Sequence, residues 1–241
     1  MINNSEKRIG RFTSSQVYRL CKSLKSGAPT KAFETYIEEV GISRALNRST
    51  KTEVKTRPML WGKVMEVVLF NLLGMEYTLE HKSTVTHSEY GDFWSGTPDL
   101  VAKNKVGEIK CFEPMHFGRL SFALKSEDIE TIKEIEPEAY WQTVSNAILC
   151  NKKRAEIIAY MPYRSELEEI LTLIEESNFL ERNELEPTDF YFMRMENIES
   201  LPYLPDDSGF SNINTFEFEV PEKDIEFLTN RIITAESHFK L

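Results

Sequence analysis

Gly96-Thr97-Pro98-Asp99-Leu100-Val101-Ala102, then Lys103-Asn104-Lys105, then Val106-Gly107-Glu108-Ile109-Lys110-Cys111-Phe112, is the stretch from which the rest follows. Two runs of β-type composition flank a polar Lys-Asn-Lys turn, so the segment reads as a hairpin. Side chains two apart on a strand share a face. Glu108 and Lys110 therefore stand together, and Ile109 points the other way, toward a core. Antiparallel pairing of 97–102 with 107–112 brings Asp99 near Glu108. Two carboxylates and one amine then occupy one small volume. Hard oxygen donors suit Mg2+, with a backbone carbonyl such as that of Ile109 as a further ligand and waters filling the shell. Such an ion lowers the pKa of a bound water, and a nearby lysine can orient that water or stabilise charge growing on a phosphate. The plain alternative is a turn aspartate beside an exposed Glu108/Lys110 pair. With 28% of residues charged, such spacing also arises by chance.

The helix before the hairpin adds a second constraint. It starts near Pro58 and runs to about Leu73, with Gly74 as a stop signal. Val64, Val67 and Val68 form one face, and Leu69, Phe70 and Leu73 cover the other. A helix apolar nearly all round is a buried one. Glu66 lies in it, and a buried carboxylate needs a cation or hydrogen bonds. Lys63, one turn back, is the ordinary partner; a metal shared with Asp99 and Glu108 is the sharper one. A third element is the helix at about Ala139–Leu149. Its Gln142 can bridge a metal-bound water or a phosphate oxygen, although a lone glutamine is commonly a surface residue.

Outward from these, Thr13-Ser14-Ser15 before Gln16-Val17-Tyr18-Arg19-Leu20 reads as a hydroxyl-capped helix start, and 31–47 as a second helix. Ser49–Pro58 reads as a basic loop. Strands are expected at Tyr77–Val85, Gly91–Ala102, Val106–Phe112, Ala155–Met161, Phe190–Met195 and Thr215–Val220. Glu166–Ser177 reads as a helix, Ser200–Asn214 as irregular, and Pro221 opens a last amphipathic helix to about Ser237. The order α-α-α-β-β-β-α-β-α-β-β-α implies an α/β fold, a mixed sheet flanked by helices. There is no repeat and no clear domain boundary, so 1–241 reads as a single domain.

The net charge of -10 conceals an asymmetry. Residues 1–63 hold 13 basic and 5 acidic side chains, whereas 161–241 hold 6 and 19. A basic surface for a polyanion beside an acidic one is one reading, a solvated helix face the other. No apolar run reaches the ~20 residues of a membrane span, and the N-terminus lacks the apolar stretch of a signal peptide. The three cysteines, Cys21, Cys111 and Cys150, are too few and too scattered for a disulfide framework or a zinc site, and fit small apolar fillers in a reducing cytosol.

Taken together, four blocks resemble the PD-(D/E)xK nuclease superfamily and, more narrowly, the phage lambda exonuclease and YqaJ-like viral recombinase family. Arg8-Ile9-Gly10-Arg11-Phe12-Thr13-Ser14-Ser15 is similar to its Arg-x-Gly-x-x-Thr-Ala-Ser block. Trp61-Gly62-Lys63 with Glu66 is similar to its Trp-Gly-x-x-x-Glu helix. Thr97-Pro98-Asp99 with Glu108-Ile109-Lys110 resembles its metal-binding hairpin, and Tyr140–Gln142 with the strand Ile157–Tyr160 its glutamine helix and following strand. The match spans about 8–165; Ser14 stands for the usual alanine, Leu100 for a common glycine, and 166–241 carries no matching motif.

The resemblance implies a restriction-endonuclease-like core and a Mg2+-dependent deoxyribonuclease, with Mn2+ able to substitute. Glu66, Asp99 and Glu108, with the carbonyl of Ile109, would hold metal; Lys110 and Gln142 would serve catalysis; Arg8, Ser15 and Thr13 would bind the 5′-phosphate. It further implies 5′→3′ digestion of linear double-stranded DNA from its ends, a ring-shaped trimer, a single-strand annealing partner and work in the cytoplasm of a bacterial host. Two other readings remain: an endonuclease of the same superfamily, and a non-catalytic DNA-binding or assembly protein with a degenerate site.

Overall fold

The expected hairpin lies within a five-stranded sheet. The computed structural model describes residues 6–22, 28–50, 55–73, 77–79, 83–176, 178–183 and 185–239. Strand β1 is Phe12–Thr13, β2 Thr78–Leu79, β3 Val85–Thr86, β4 Trp94–Gly96, β5 Leu100–Val101, β6 Lys105–Lys110, β7 Arg154–Tyr160 and β8 Ile213–Glu219. The larger sheet has the order β2-β5-β6-β7-β8; a smaller one has the order β1-β4-β3. β6 pairs antiparallel with β5 and parallel with β7, in the register Glu108↔Ile157 and Lys110↔Ala159. A mixed sheet flanked by helices is thus the observed architecture.

The helices are α1 Tyr18–Cys21, α2 Lys31–Ala45, α3 Arg57–Leu73, α4 Pro114–Lys125, α5 Ile129–Ile135, α6 Pro137–Leu149, α7 Arg164–Glu176, α8 Phe179–Arg182, α9 Pro187–Met195 and α10 Glu222–Ser237. They cover both faces of the larger sheet. On one side α2, α4, α6 and α10 pack over Val106, Ala155, Ile157 and Ala159. On the other, α3, α7 and α9 pack over Leu100, Ile109, Ile158 and Tyr160. Burial on both faces explains the nearly unbroken apolar run of β7, the pattern of an interior strand. Ile109 does point into a core, opposite Glu108 and Lys110. Among the described residues no helix is long and apolar enough to cross a membrane. The cysteines are free, Cys111 buried and the other two half-buried, as small fillers would be.

Several expectations need correction. Phe190–Met195 is not a strand but most of α9. Its aromatics favour a strand, yet Pro187 at the first turn and the Asp189 carboxylate, which accepts the Glu186 N–H at 3.1 Å, start a helix that buries Phe190 and Met193. Tyr77–Val85 and Gly91–Ala102 are not continuous strands. Each divides into short strands of different sheets, the second where Pro98 has no N–H to give a ladder. Lys105 belongs to β6 rather than to the turn, its amine 2.8 Å from Glu156 Oε2. Thr13 does precede a helical turn, 3-10 in type, but caps nothing; its hydroxyl lies 3.4 Å from Tyr36 Oη. Helices α4 and α5 occupy a stretch where no element was expected. Gly74, part of the 49–58 loop and Ser177 lie outside the described residues.

The C-terminal third is tied to α3 through ion pairs, Arg57 with Glu196 at 2.7 Å and Lys63 with the buried Asp189. Asp189, 0% exposed, accepts from Lys63 on α3 and from Lys55 Nζ at 3.0 Å. Burial alone would raise its pKa, but the two lysines and the Glu186 N–H outweigh burial and lower it. A depressed carboxylate stabilises the fold above the ordinary carboxylate range, and that contribution is lost as pH falls through the depressed value. Cutting a fully buried pair costs about 3–5 kcal/mol. Here the lysine side chains are 46% and 48% exposed and keep their water, so Asp189→Ala is expected to cost about 1–3 kcal/mol. Urea titration at pH 7 checks the size; at pH 2 the difference should have shrunk.

Candidate active site

Because β6 is buried on both faces, Glu108 and Lys110 must find partners inside the protein. Glu108 is 1% exposed. Its Oε1 accepts from Lys110 Nζ at 2.8 Å, and its Oε2 from Asn146 Nδ2 on α6 at 3.2 Å. Lys110 also donates to Gln142 Oε1, 3.2 Å away. The exposed cross-strand pair is therefore excluded, and Gln142 is buried rather than a surface residue. Asp99, in the bend before β5, accepts the N–H of Ile109 at 2.8 Å, so its carboxylate lies beside the middle of β6.

Glu66 arrives from α3, half-buried. Its helix neighbour Lys63 is committed to Asp189, so the ordinary ion pair is not the one formed. Burial raises the pKa of Glu66, and the charges of Asp99 and Glu108 add to it, against smaller help from Lys110 and Lys63. Glu108 is raised in the same way, by burial first and then by Asp99. Burial would strip Lys110 of its proton, but Glu108 and Asp99 together raise its pKa and hold it charged. Three carboxylates thus crowd one ammonium, a site short of positive charge.

A cavity of about 440 Å³ opens over this group. Arg8, Ser15, Glu66, Asp99 and Gln142 line it, joined by Lys63, Thr97 and, from the C-terminal third, Asn183 and Leu185. The Arg8 guanidinium stands 3.4 Å from Ser15 Oγ. Glu108 and Lys110 are not among the lining residues, but Lys110 bonds one of them, Gln142. Thr13 is not on the lining; its main-chain N–H donates to Tyr36 Oη at 2.8 Å. The donor set, carboxylates with one amide oxygen, has the chemistry of a hard divalent cation. As they stand, no three acidic, histidine or cysteine groups among the described residues gather closely enough to hold one. Glu108 and Asp99 instead spend oxygens on Lys110, Asn146 and the Ile109 N–H.

Sequence reasoning missed Asn146, Ser145 and Ser14. Ser14 Oγ lies 2.8 Å from Ser145 Oγ, which also accepts from Trp94 Nε1 at 3.0 Å. Helical spacing was the available signal, since 145 and 146 follow Gln142 by three and four residues and share its face. Asn183 and Leu185 had no comparable signal.

No family model and no curated protein matches the chain. Solved structures do. One titled LHK-Exo in complex with dAMP superposes with a TM-score of 0.63 at 13% identity, over 97% of this chain and 89% of its own. An alkaline exonuclease (LHK-Exo) from Laribacter hongkongensis gives 0.51 at 16%, over 80% and 96%. A phage related exonuclease from Haemophilus somnus 129PT gives 0.58 at 14%, over 94% and 92%. Likeness at such identities establishes the fold, a mixed sheet flanked by helices that this chain shares with them.

The crowded carboxylates make a measurable trade. Because the pKa of Glu66 is raised in the fold, the metal-free protein loses stability as pH rises from the ordinary carboxylate range through the raised value. Glu66→Gln removes that penalty. At pH 8 its melting temperature without metal should exceed wild type by about 2–4 °C, the gap closing near pH 4. Calorimetric melting at both pH values decides it.

Proposed function

We propose that this protein is a Mg2+-dependent DNA exonuclease of the lambda exonuclease and YqaJ type, with residues 1–241 as one nuclease domain. The observation that carries the reading is a single cavity wall. An arginine–hydroxyl pair from the N-terminal block, Arg8 and Ser15, faces the carboxylates of Glu66 and Asp99 from distant parts of the chain. A terminal phosphate held by the first group would set its phosphodiester over the second. The three similar folds, those of LHK-Exo and of a phage related exonuclease, support the same reading.

In this reading Glu66, Asp99 and Glu108, with the carbonyl of Ile109, would hold the metal. A divalent ion there would neutralise charge on the phosphate and lower the pKa of a bound water. Lys110, kept protonated by Glu108 and Asp99, stabilises charge developing on the scissile phosphate, and Gln142 holds its ammonium in place. Arg8 and Ser15 bind the 5′-phosphate, a bidentate acceptor for a guanidinium. Thr13 orders this segment through Tyr36 rather than touching the phosphate. The basic N-terminal segment supplies contacts along the DNA backbone. Digestion from 5′ to 3′, Mn2+ in place of Mg2+, a ring-shaped trimer, a single-strand annealing partner and work in the cytoplasm of a bacterial host belong to the proposal through the resemblance.

The test is digestion of 5′-phosphorylated and 5′-hydroxyl linear duplexes beside a covalently closed circle, with Mg2+. The phosphorylated duplex should disappear fastest and the circle should survive. Lys110→Ala should lower the rate by about 10²-fold or more. Cutting of the circle would favour an endonuclease, and equal rates for Lys110→Ala and wild type would remove the role given to that lysine.

A further inference from the structure

We propose that Asn146 is a positioning residue that fixes the Glu108 carboxylate, an inference that rests on the metal-dependent reading of this site. Asn146 is 1% exposed on α6, in the middle of a helix packed against the core. Its Nδ2 donates to Glu108 Oε2 at 3.2 Å, while Lys110 Nζ holds Oε1 at 2.8 Å. The carboxylate is thus gripped at both oxygens from two different elements, which sets the plane of the group. One turn earlier on the same helix, Gln142 Oε1 accepts from Lys110. Helix α6 therefore holds both Glu108 and Lys110, the anion through residue 146 and the cation through residue 142.

The helix is itself held in place. Ser145 bonds Ser14 and Trp94, as above, and Gly96 lies against the same spot. A Cβ at Gly96 would overlap Ser14 Oγ and come within 2.6 Å of Asn146 Oδ1. Only a glycine there lets the N-terminal block, β4 and α6 meet so closely. Meanwhile Asn146 Oδ1 is buried with no hydrogen-bond partner among the described residues. An orphaned buried acceptor costs about 1–3 kcal/mol. An amide kept for packing alone would have no reason to carry that cost in an interior where an apolar residue of the same volume fits. A carboxylate only accepts, so the amide must turn its nitrogen to Glu108 and strand its oxygen. The orientation is the one that serves Glu108.

The experiment compares wild type with Asn146→Ala and with Asn146→Leu, which keeps the volume and removes every polar atom. Mn2+ binding is measured by calorimetry, and kcat and KM on a phosphorylated linear duplex, with circular dichroism to confirm folding. Losing the outer partner of a ligand costs about 10–100-fold in metal affinity or activity. Both variants should therefore weaken Mn2+ binding and lower kcat by about that factor, with KM for DNA changed by less than about twofold. A folded variant that binds Mn2+ as wild type does, a loss confined to KM, or failure of both variants to fold would overturn the positioning role. Wild type that binds Mn2+ yet degrades no DNA would overturn the exonuclease reading alone, and the calorimetric constants would still decide on Asn146. Wild type that binds no Mn2+ would overturn both.

Discussion

A carboxylate in an inner strand of a sheet covered on both faces is the constraint on which the rest of this structure depends. Glu108 cannot reach bulk water, and an unpaired charge there costs several kcal/mol. The fold answers with an ammonium two residues along the same strand and an amide from the helix above. Those partners in turn dictate where α6 lies, and α6 brings the N-terminal block with it through Ser14 and Ser145. The geometry of the cavity is thus a consequence of burying one side chain.

The answer is incomplete by design of the charges. Asp99 and Glu66 approach the same place, and one lysine does not balance three carboxylates. Burial first, and then the neighbouring carboxylates, raise the pKa of Glu66 and Glu108. A site that lacks positive charge in a protein core stores free energy that a cation releases, which is why perturbed carboxylates gather at functional sites. The acidic C-terminal third also has a part here. Asp189 engages Lys63 and Lys55, and Asn183 and Leu185 close one side of the cavity. A segment without a recognisable motif is then part of the wall around the chemistry.

Much of this was readable along the chain, but unevenly. The hairpin carrying Asp99, Glu108 and Lys110 was legible because strand alternation and a turn are local. Glu66 was legible because a carboxylate in a largely apolar helix needs a partner, although it proved half-buried, on the lining of the cavity. The helix at Phe190–Met195 was misread because its aromatic composition favours a strand, whereas its start is decided by Pro187 and by a carboxylate three residues past Glu186. Thr13 looked like a helix cap; its partner proved to be Tyr36, on another helix. Residues 113–138 held two helices behind a Pro at the first turn and an Asp128 cap that were weak against a mixed composition.

By itself, then, the sequence determined the local elements of the site: which residues share a strand face, which carboxylate stands on an apolar helix, and which four blocks stand in order. Those depend on periodicities of two and 3.6 residues, which act over a few neighbours. Only the tertiary structure decided that Lys63 belongs to Asp189 rather than Glu66, that Thr13 turns to Tyr36, and that Asn146 grips Glu108. Each of these is a choice among partners distant along the chain. Such choices are settled by which surfaces pack and which buried polar groups remain unpaired, and no local pattern encodes them.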